Sequence, residues 1–359
     1  MKRAKSARDD TRGLVARGPA QPIRSLRVEE EVKGCDTLTP LCISHDGSRA
    51  WARERPEPHR LFFIDLGTIN AAWEPTAIAS SPGPWGFTRC DAVGTFFAMQ
   101  RRQDGLWVVT DGAGAHATSH LSFNMDQTQV IRTDDSPDGT NEAPAARAVA
   151  CIPEVGICAI IDDLGLIFFP MFVDQAPSVC YCSDKLESTV SVQGTMAFIT
   201  EGSDVLMVDL KNGVLARKMS IPNMGTDERV WNLSVSGPLM ALCTMFNSLD
   251  IKSDCHPKVM WLAEADGTPA WTACNITGIV AVAADCETGL IAILTALGDL
   301  IITDSLKRVP PKRFEEGTEG VPFLSQHTRD AIIAWGPGAL VKKCIRLIKP
   351  GGAIYRVHI

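Results

Sequence analysis

No apolar run in this chain approaches the roughly 20 residues that a membrane-spanning helix needs, so the sequence does not read as an integral membrane protein. The start is polar and no apolar stretch follows it, which predicts a chain without a secretory signal. There is no Walker-type loop, no glycine-rich turn leading into a helix, no His-Glu-x-x-His and no Gly-x-Ser-x-Gly elbow. Nucleotide, zinc-peptidase and serine-hydrolase chemistry are therefore unsigned. The twelve cysteines contain no Cys-x-x-Cys pair, and no Trp-Asp or Gly-His pair marks a repeat.

What is present is a repeat. Seven strand-like runs begin at Gly47, Gly94, Gly156, Gly194, Gly237, Gly289 and Asp330, among them GTFFAM, GTMAFI and GLIAIL. Each is followed by a second apolar run, starting at Leu61, Trp107, Leu166, Val205, Val259, Leu300 and Cys344. The second starts are separated by 46, 59, 39, 54, 41 and 44 residues. A period of that size carried by short apolar strands is the signature of propeller blades. The sequence thus predicts an all-β chain: a seven-bladed β-propeller of four-stranded antiparallel blades with a disordered N-terminal tail.

The fourth unit shows the cut most cleanly. Strand a is Thr189–Gln193, b is Thr195–Thr200, c is Val205–Asp209 and d is Val214–Ile221, counted from the axis outward. Asn212-Gly213 before strand d is a strong hairpin signal, because the turn needs positive φ. The c strands are apolar on both sides of the pleat, as a sheet sandwiched between two others requires. The last unit reads as placing its c strand at Cys344 and its own d strand at 353–358. Residues 22–32 (PIRSLRVEEEV) form one short strand that either adds an edge or swaps into that final blade. The propeller spans 22–359.

Formal net charge is −7, which speaks against a general nucleic-acid binder. Residues 1–24 nevertheless carry seven basic side chains against Asp9 and Asp10. Residues 1–21 hold almost no large apolar side chain and read as a disordered basic tail. It is the one segment suited to an anionic surface, a nucleic acid or a nuclear address. Cysteines inside strands behave as small buried hydrophobes. With no secretory signal they predict a reducing, intracellular setting, cytoplasmic or nuclear.

Four of the second runs end in aspartate: Asp65, Asp111, Asp209 and Asp304, preceded by Ile64, Thr110, Val208 and Thr303. On that pattern residues 35–359 resemble the WD40-like β-propellers, whose blades close strand c with Trp-Asp. The resemblance implies a non-catalytic scaffold that assembles multiprotein complexes. Read from chemistry alone, the aspartates accept backbone hydrogen bonds from the turns that follow.

No residue set nominates a metal or a cofactor, and none is expected. Alternation along a strand puts Cys180 and Cys182 on one face, a half-site lacking two more ligands. Asp254-Cys255-His256 reads as a solvated loop. Asp134-Asp135-Ser136-Pro137-Asp138-Gly139 opens like a calcium loop, but position 145 is alanine where the closing glutamate belongs.

Loops joining b to c, and d to the next a, emerge on one face. The two insertions 124–144 and 245–257 project there, beside Arg53, Arg55 and His59 of the first unit and Arg101 and Arg102 of the second. A basic patch next to the acidic Asp134, Asp135 and Asp138 suits a protein or peptide partner. The alternative is a propeller enzyme (hydrolase, lyase or dehydrogenase) with its site at the central channel. Against it, the channel-lining strands read as apolar or small (PLCIS, RAVACI, TVSVQ, LSVS, IVAVA), with Gln326 and His327 as isolated exceptions.

Overall fold

The computed structural model describes residues 27–358 except 36, 45–46, 55–60, 67–70, 76–86, 94–95, 102–104, 113–114, 125–128, 134–145, 153–155, 162–163, 171–177, 222–223, 226–227, 238, 247–255, 262–269, 274–278, 296–298, 305–311, 315–331, 338–342 and 349–350. The basic tail, Gln326 and His327 lie outside them. The described elements are all strands, and none of the described residues forms a helix long and apolar enough to cross a membrane.

The chain opens with β1 (Arg27–Val32) and continues through β2 (Leu38–Ile43), β3 (Arg49–Glu54), β4 (Leu61–Asp65) and β5 (Glu74–Pro75). Then come β6 (Phe87–Val93), β7 (Phe96–Arg101), β8 (Gly105–Gly112), β9 (Ala115–Asn124) and β10 (Gln129–Thr133). The next four are β11 (Ala146–Ile152), β12 (Gly156–Ile161), β13 (Gly165–Pro170) and β14 (Ser178–Tyr181). They lead to β15 (Leu186–Gln193), β16 (Met196–Glu201), β17 (Asp204–Asp209) and β18 (Val214–Ser220). After them run β19 (Glu228–Ser236), β20 (Leu239–Phe246), β21 (His256–Trp261) and β22 (Ala270–Ala273). The last strands are β23 (Ile279–Asp285), β24 (Leu290–Thr295), β25 (Leu300–Asp304), β26 (Lys312–Phe314), β27 (Ile332–Pro337), β28 (Lys343–Ile348) and β29 (Ile354–His358).

These strands form a β-propeller. Five sheets are regular four-stranded meanders of consecutive strands: β2 to β5, β11 to β14, β15 to β18, β19 to β22 and β23 to β26. Two sheets depart from the expected pattern. One holds five strands, β6 to β10, and the other runs β1-β29-β28-β27. The first strand of each meander touches the first strand of the next, from β2 through β6, β11, β15, β19 and β23 to β27, and β27 returns to β2. Those inner strands line the axis.

The glycines that open the repeat do so for a backbone reason. The turn from the inner strand to the second strand passes through a left-handed residue, Gly194 at φ 57° and Gly237 at φ 54°. An L side chain is disfavoured there. Gly213 of the predicted Asn-Gly hairpin adopts the same region at φ 62°. Behind these turns the second and third strands fill the space between sheets. Ala197, Ile199, Leu206 and Val208 join Cys158, Ile160 and Leu166 of the neighbouring sheet in one core cluster. Each fully buried Leu or Ile contributes about 1.5–3 kcal/mol of apolar transfer.

The last blade corrects the sequence reading. The run at Ile332 is its innermost strand, β28 with Cys344 is second rather than third, and β29 is third rather than fourth. The outermost place goes to β1, antiparallel to β29 with Arg27 opposite His358 and Val28 opposite Val357. A register shift between Glu30 and Val32 leaves Glu31 in a bulge, and bulges re-aim side chains. The Glu31 carboxylate accepts from Arg346 Nε at 3.0 Å and also pairs with Arg356. Arg346, 3% exposed, donates its remaining fork to the Gly47 carbonyl of the adjacent sheet at 2.6 Å. Trp73 Nε1 to the Gly352 carbonyl, at 2.8 Å, fastens the same seam.

Candidate functional site

The face carrying the second-to-third-strand turns is the one the sequence nominates. Arg53 is the fifth of the six residues of β3 and Arg101 the last of β7. Both therefore stand in strands rather than in loops, at matching strand ends. Arg53 pairs across β4 with Leu61, and Arg101 across β8 with Gly105, each beside its turn. Since β2 touches β6, the two sheets are neighbours and the two strand ends share one sector of the face. Arg55, His59 and Arg102 lie outside the described residues.

The insertion at 124–144 is partly a strand. β10 pairs with β9, Gln129 opposite Asn124 and Thr133 opposite His120. It therefore carries the chain from the face back down the outer rim. Asp134, Asp135 and Asp138 follow that strand and lie outside the described residues, as do Asp254 and Cys255. His256 begins β21.

Further round the same face the fourth sheet presents a polar cluster. Ser183 Oγ donates to Glu201 at 2.5 Å, and Ser220 Oγ donates to Asp204 at 2.6 Å. Lys218 Nζ sits 2.9 Å from Asp204 and 3.8 Å from Glu201. Burial alone would push the Asp204 carboxyl up, but the Ser220 hydroxyl and the Lys218 ammonium outweigh it and hold the group below its ordinary value. These carboxylates are committed to their neighbours.

The channel side is organised by residues whose role the sequence reading missed. Asn232, Ser234 and Ser236 alternate along β19 and accept from the backbone N–H groups of Val282 and Ala284 on β23 and of Cys286 just past its end, at 3.1, 3.0 and 3.0 Å. On β15, Glu187 accepts from Val230 N–H at 2.9 Å. Gln193, with its amide oriented by these bonds, accepts from Gly237 N–H at 2.9 Å and donates to Gly237 O at 3.0 Å. An innermost strand has one unpaired edge, and buried backbone donors need partners. Side chains of the preceding sheet supply them. The visible signal was a period-two run of polar residues, Asn-x-Ser-x-Ser at 232–236 and Glu-x-Thr-x-Ser-x-Gln at 187–193.

Glu187 gives this contact a pH dependence. Burial raises its pKa, against the opposing pull of the Val230 N–H, the Arg229 guanidinium and the Thr200 hydroxyl. The folded chain therefore holds this proton more tightly than the unfolded chain does. The resulting stability is present below the ordinary glutamate value of 4.5 and is lost as pH rises through the higher folded value. Urea midpoints of the wild type should fall relative to Glu187→Gln as pH is raised from 4.5. A constant gap between the two across that range would remove Glu187 as the cause.

The remaining candidates separate. Asp209 behaves as turn chemistry, its Oδ1 accepting from Lys211 N–H at 2.9 Å and Asn212 N–H at 3.2 Å. Asp65 instead pairs with Arg49 across the adjacent strand. Cys180 and Cys182 do not share a face as predicted. Cys180 is buried and Cys182, beyond the end of β14, is exposed. Burial pushes the Cys180 thiol up, and its Sγ donates to Leu210 O at 3.6 Å. Among the described residues no group of three or more His, Cys, Asp or Glu is placed to hold a metal ion.

No family model and no curated protein matches this chain. Solved structures do. Sqt1 of Saccharomyces cerevisiae superposes with a TM-score of 0.53 at 9% identity, over 92% of this chain and 98% of that one. KlHsv2, in a form with loop 6CD replaced by a Gly-Ser linker, gives 0.52 at 9% identity, over 88% and 90%. At that identity the likeness is one of fold, a WD40-like β-propeller.

Proposed function

We propose that this WD40-like propeller, with its seven sheets as seven blades, is a non-catalytic interaction platform that assembles a multiprotein complex inside the cell. Its partner surface is the face of the second-to-third-strand turns, with Arg53, Arg55, His59, Arg101 and Arg102 as the basic residues and Asp134, Asp135 and Asp138 as the acidic ones that meet the partner. The observation that carries this reading is the placement of Arg53 and Arg101 at matching ends of β3 and β7 in touching sheets. Arginines carried on strand ends lose less backbone freedom on binding than arginines on loops. The polar side chains of β15 and β19 are engaged with neighbouring backbone, which favours a structural channel over a catalytic one. Cys42, Cys151, Cys158, Cys180, Cys243 and Cys344 are buried within strands, the packing of cysteine as a small hydrophobe that suits a reducing compartment.

Affinity capture with mass spectrometry should compare the wild type with a variant carrying Arg53→Glu, Arg55→Glu, Arg101→Glu and Arg102→Glu. Partners lost by the variant, at an unchanged urea midpoint, support the loop face. Partners retained by both proteins move the surface elsewhere.

A further inference from the structure

Asn212-Gly213 is the one Asn-Gly pair in the chain, and it forms the tip of the turn between β17 and β18. The base of that turn is fixed. Leu210 is 3% exposed in the core between the third and fourth blades, and its N–H donates to the Thr195 carbonyl at 3.0 Å. Lys211, Asn212 and Gly213 beyond it are exposed. Gly213 turns with φ 62°, and a side-chain carbon added there would meet nothing closer than 3.9 Å. Water and base therefore reach the Asn212 side chain and the Gly213 nitrogen together.

Two such groups side by side react with each other. Once the Gly213 N–H gives its proton to base, the nitrogen bonds to the Asn212 side-chain carbonyl carbon. The bond from that carbon to the side-chain nitrogen breaks, and ammonia leaves with a proton taken from water. Water then opens the cyclic imide at either carbonyl, giving aspartate or isoaspartate at 212. The sum is asparagine plus water to acid plus ammonia, with nothing oxidised or reduced. Glycine favours the step because no Cβ shields its nitrogen from close approach.

One residue holds both reacting groups. The Gly213 N–H donates to the Asp209 carbonyl at 2.8 Å, which ties down the nitrogen that must attack. Asn212 Nδ2 donates to Asp209 Oδ2 at 2.6 Å, which commits the side chain to the carboxylate. The Asn212 bond is also the chief reason that the Asp209 carboxyl stays below its ordinary value, so at neutral pH it has no proton to give to departing ammonia. We propose that Asn212 is a site of spontaneous deamidation, and that Asp209 guards it and sets its rate. The product puts a second carboxylate beside Asp209 where an amide had donated. Isoaspartate also lengthens the backbone between Asp209 and Val214, the pair that closes the hairpin. The site lies at the far end of β17 from the second-to-third-strand turn, and it does not depend on the partner surface there.

The full chain is incubated folded at neutral pH, and again in concentrated urea as its own unguarded reference. Peptide mapping with mass spectrometry reads the products at 212. Aspartate and isoaspartate peptides should accumulate in both samples, about tenfold more slowly or less in the folded protein, the scale of a hydrogen bond to a charged group. Asp209→Ala should bring the folded rate close to the urea rate. Asp209→Asn, which keeps a weaker acceptor, should fall between. Both rates should rise with pH, since the nitrogen must first lose its proton. A folded wild type that yields no product over many half-lives of the urea sample overturns the site. One that reacts as fast as the urea sample overturns the guard. An unchanged rate in Asp209→Ala, still folded by circular dichroism, removes Asp209 as the cause; if that variant unfolds, Asp209→Asn carries the same test.

Discussion

Replacing Glu31 with alanine should cost the folded protein about 3–5 kcal/mol, read as a fall in the urea midpoint, because it strands two arginines against the seam of the ring. Arg346 is 3% exposed, and its Nε has the Glu31 carboxylate as its ionic partner at 3.0 Å. Removing one member of a buried ion pair leaves the desolvation of the other uncompensated, which is why the effect exceeds that of an exposed pair, about 0–1 kcal/mol. The same carboxylate also holds Arg356, so one substitution releases both second and third strands of the last blade from β1. Glu31→Gln should fall between wild type and Glu31→Ala, keeping the shape and losing the charge. A combined Glu31→Leu, Arg346→Met and Arg356→Leu variant should recover much of the loss, since the uncompensated charges go together. If Glu31→Ala unfolds at the wild-type midpoint, β1 is not held by this carboxylate.

Removing the acceptors on β19 is the second large effect. Asn232→Ala, Ser234→Ala and Ser236→Ala together should destabilise by about 2–5 kcal/mol, since an orphaned buried donor costs about 1–3 kcal/mol. Val282 and Ala284 are 5% and 7% exposed, so water replaces the lost oxygens poorly there. Cys286 is half-buried, and its share should be the smallest. The conservative control is Ser234→Thr with Ser236→Thr, which keeps an oxygen at each position and should stay near wild type. Hydrogen exchange gives an independent readout: the Val282 and Ala284 amides should lose protection in the alanine variant while those of β16 keep theirs. Unchanged protection at both amides would mean that these contacts do not cap the inner edge of β23.

The repeat was legible because its turn chemistry is local. A tight turn that needs a left-handed residue calls for glycine, and Gly194 and Gly237 stand where the structure turns with positive φ. The third strands were legible for a related reason: Val205, Leu206 and Val208 are all buried, so they read as a continuous apolar run. The nominated face was only half legible. Arg53 and Arg101 lie next to the turns predicted for them, but as strand residues. The insertion after Asn124 looked like a loop, since nothing in QVIRT says that the edge of β9 is available to receive it. Ser234 and Ser236 were passed over as small residues of a channel strand, and Asn232 just before them was not considered. Their importance lies in which backbone groups they reach, and those belong to a strand 50 residues away.

Period, glycine-opened turns and two-sided apolar strands are decided within a few residues of sequence, because φ/ψ preference and side-chain alternation act locally. They sufficed for an all-β chain of repeated antiparallel units. How the ring closes is not local. The final unit has the apolar runs of its neighbours, and counting along the chain assigns β29 the outer place. Only when β1 is beside β29 does the free edge there find its hydrogen-bond partners, and only then does the bulge at Glu31 turn a carboxylate toward Arg346 and Arg356. Pairing across more than 300 residues is chosen by edge complementarity and by burial of charge, and neither quantity exists until the sheets are assembled.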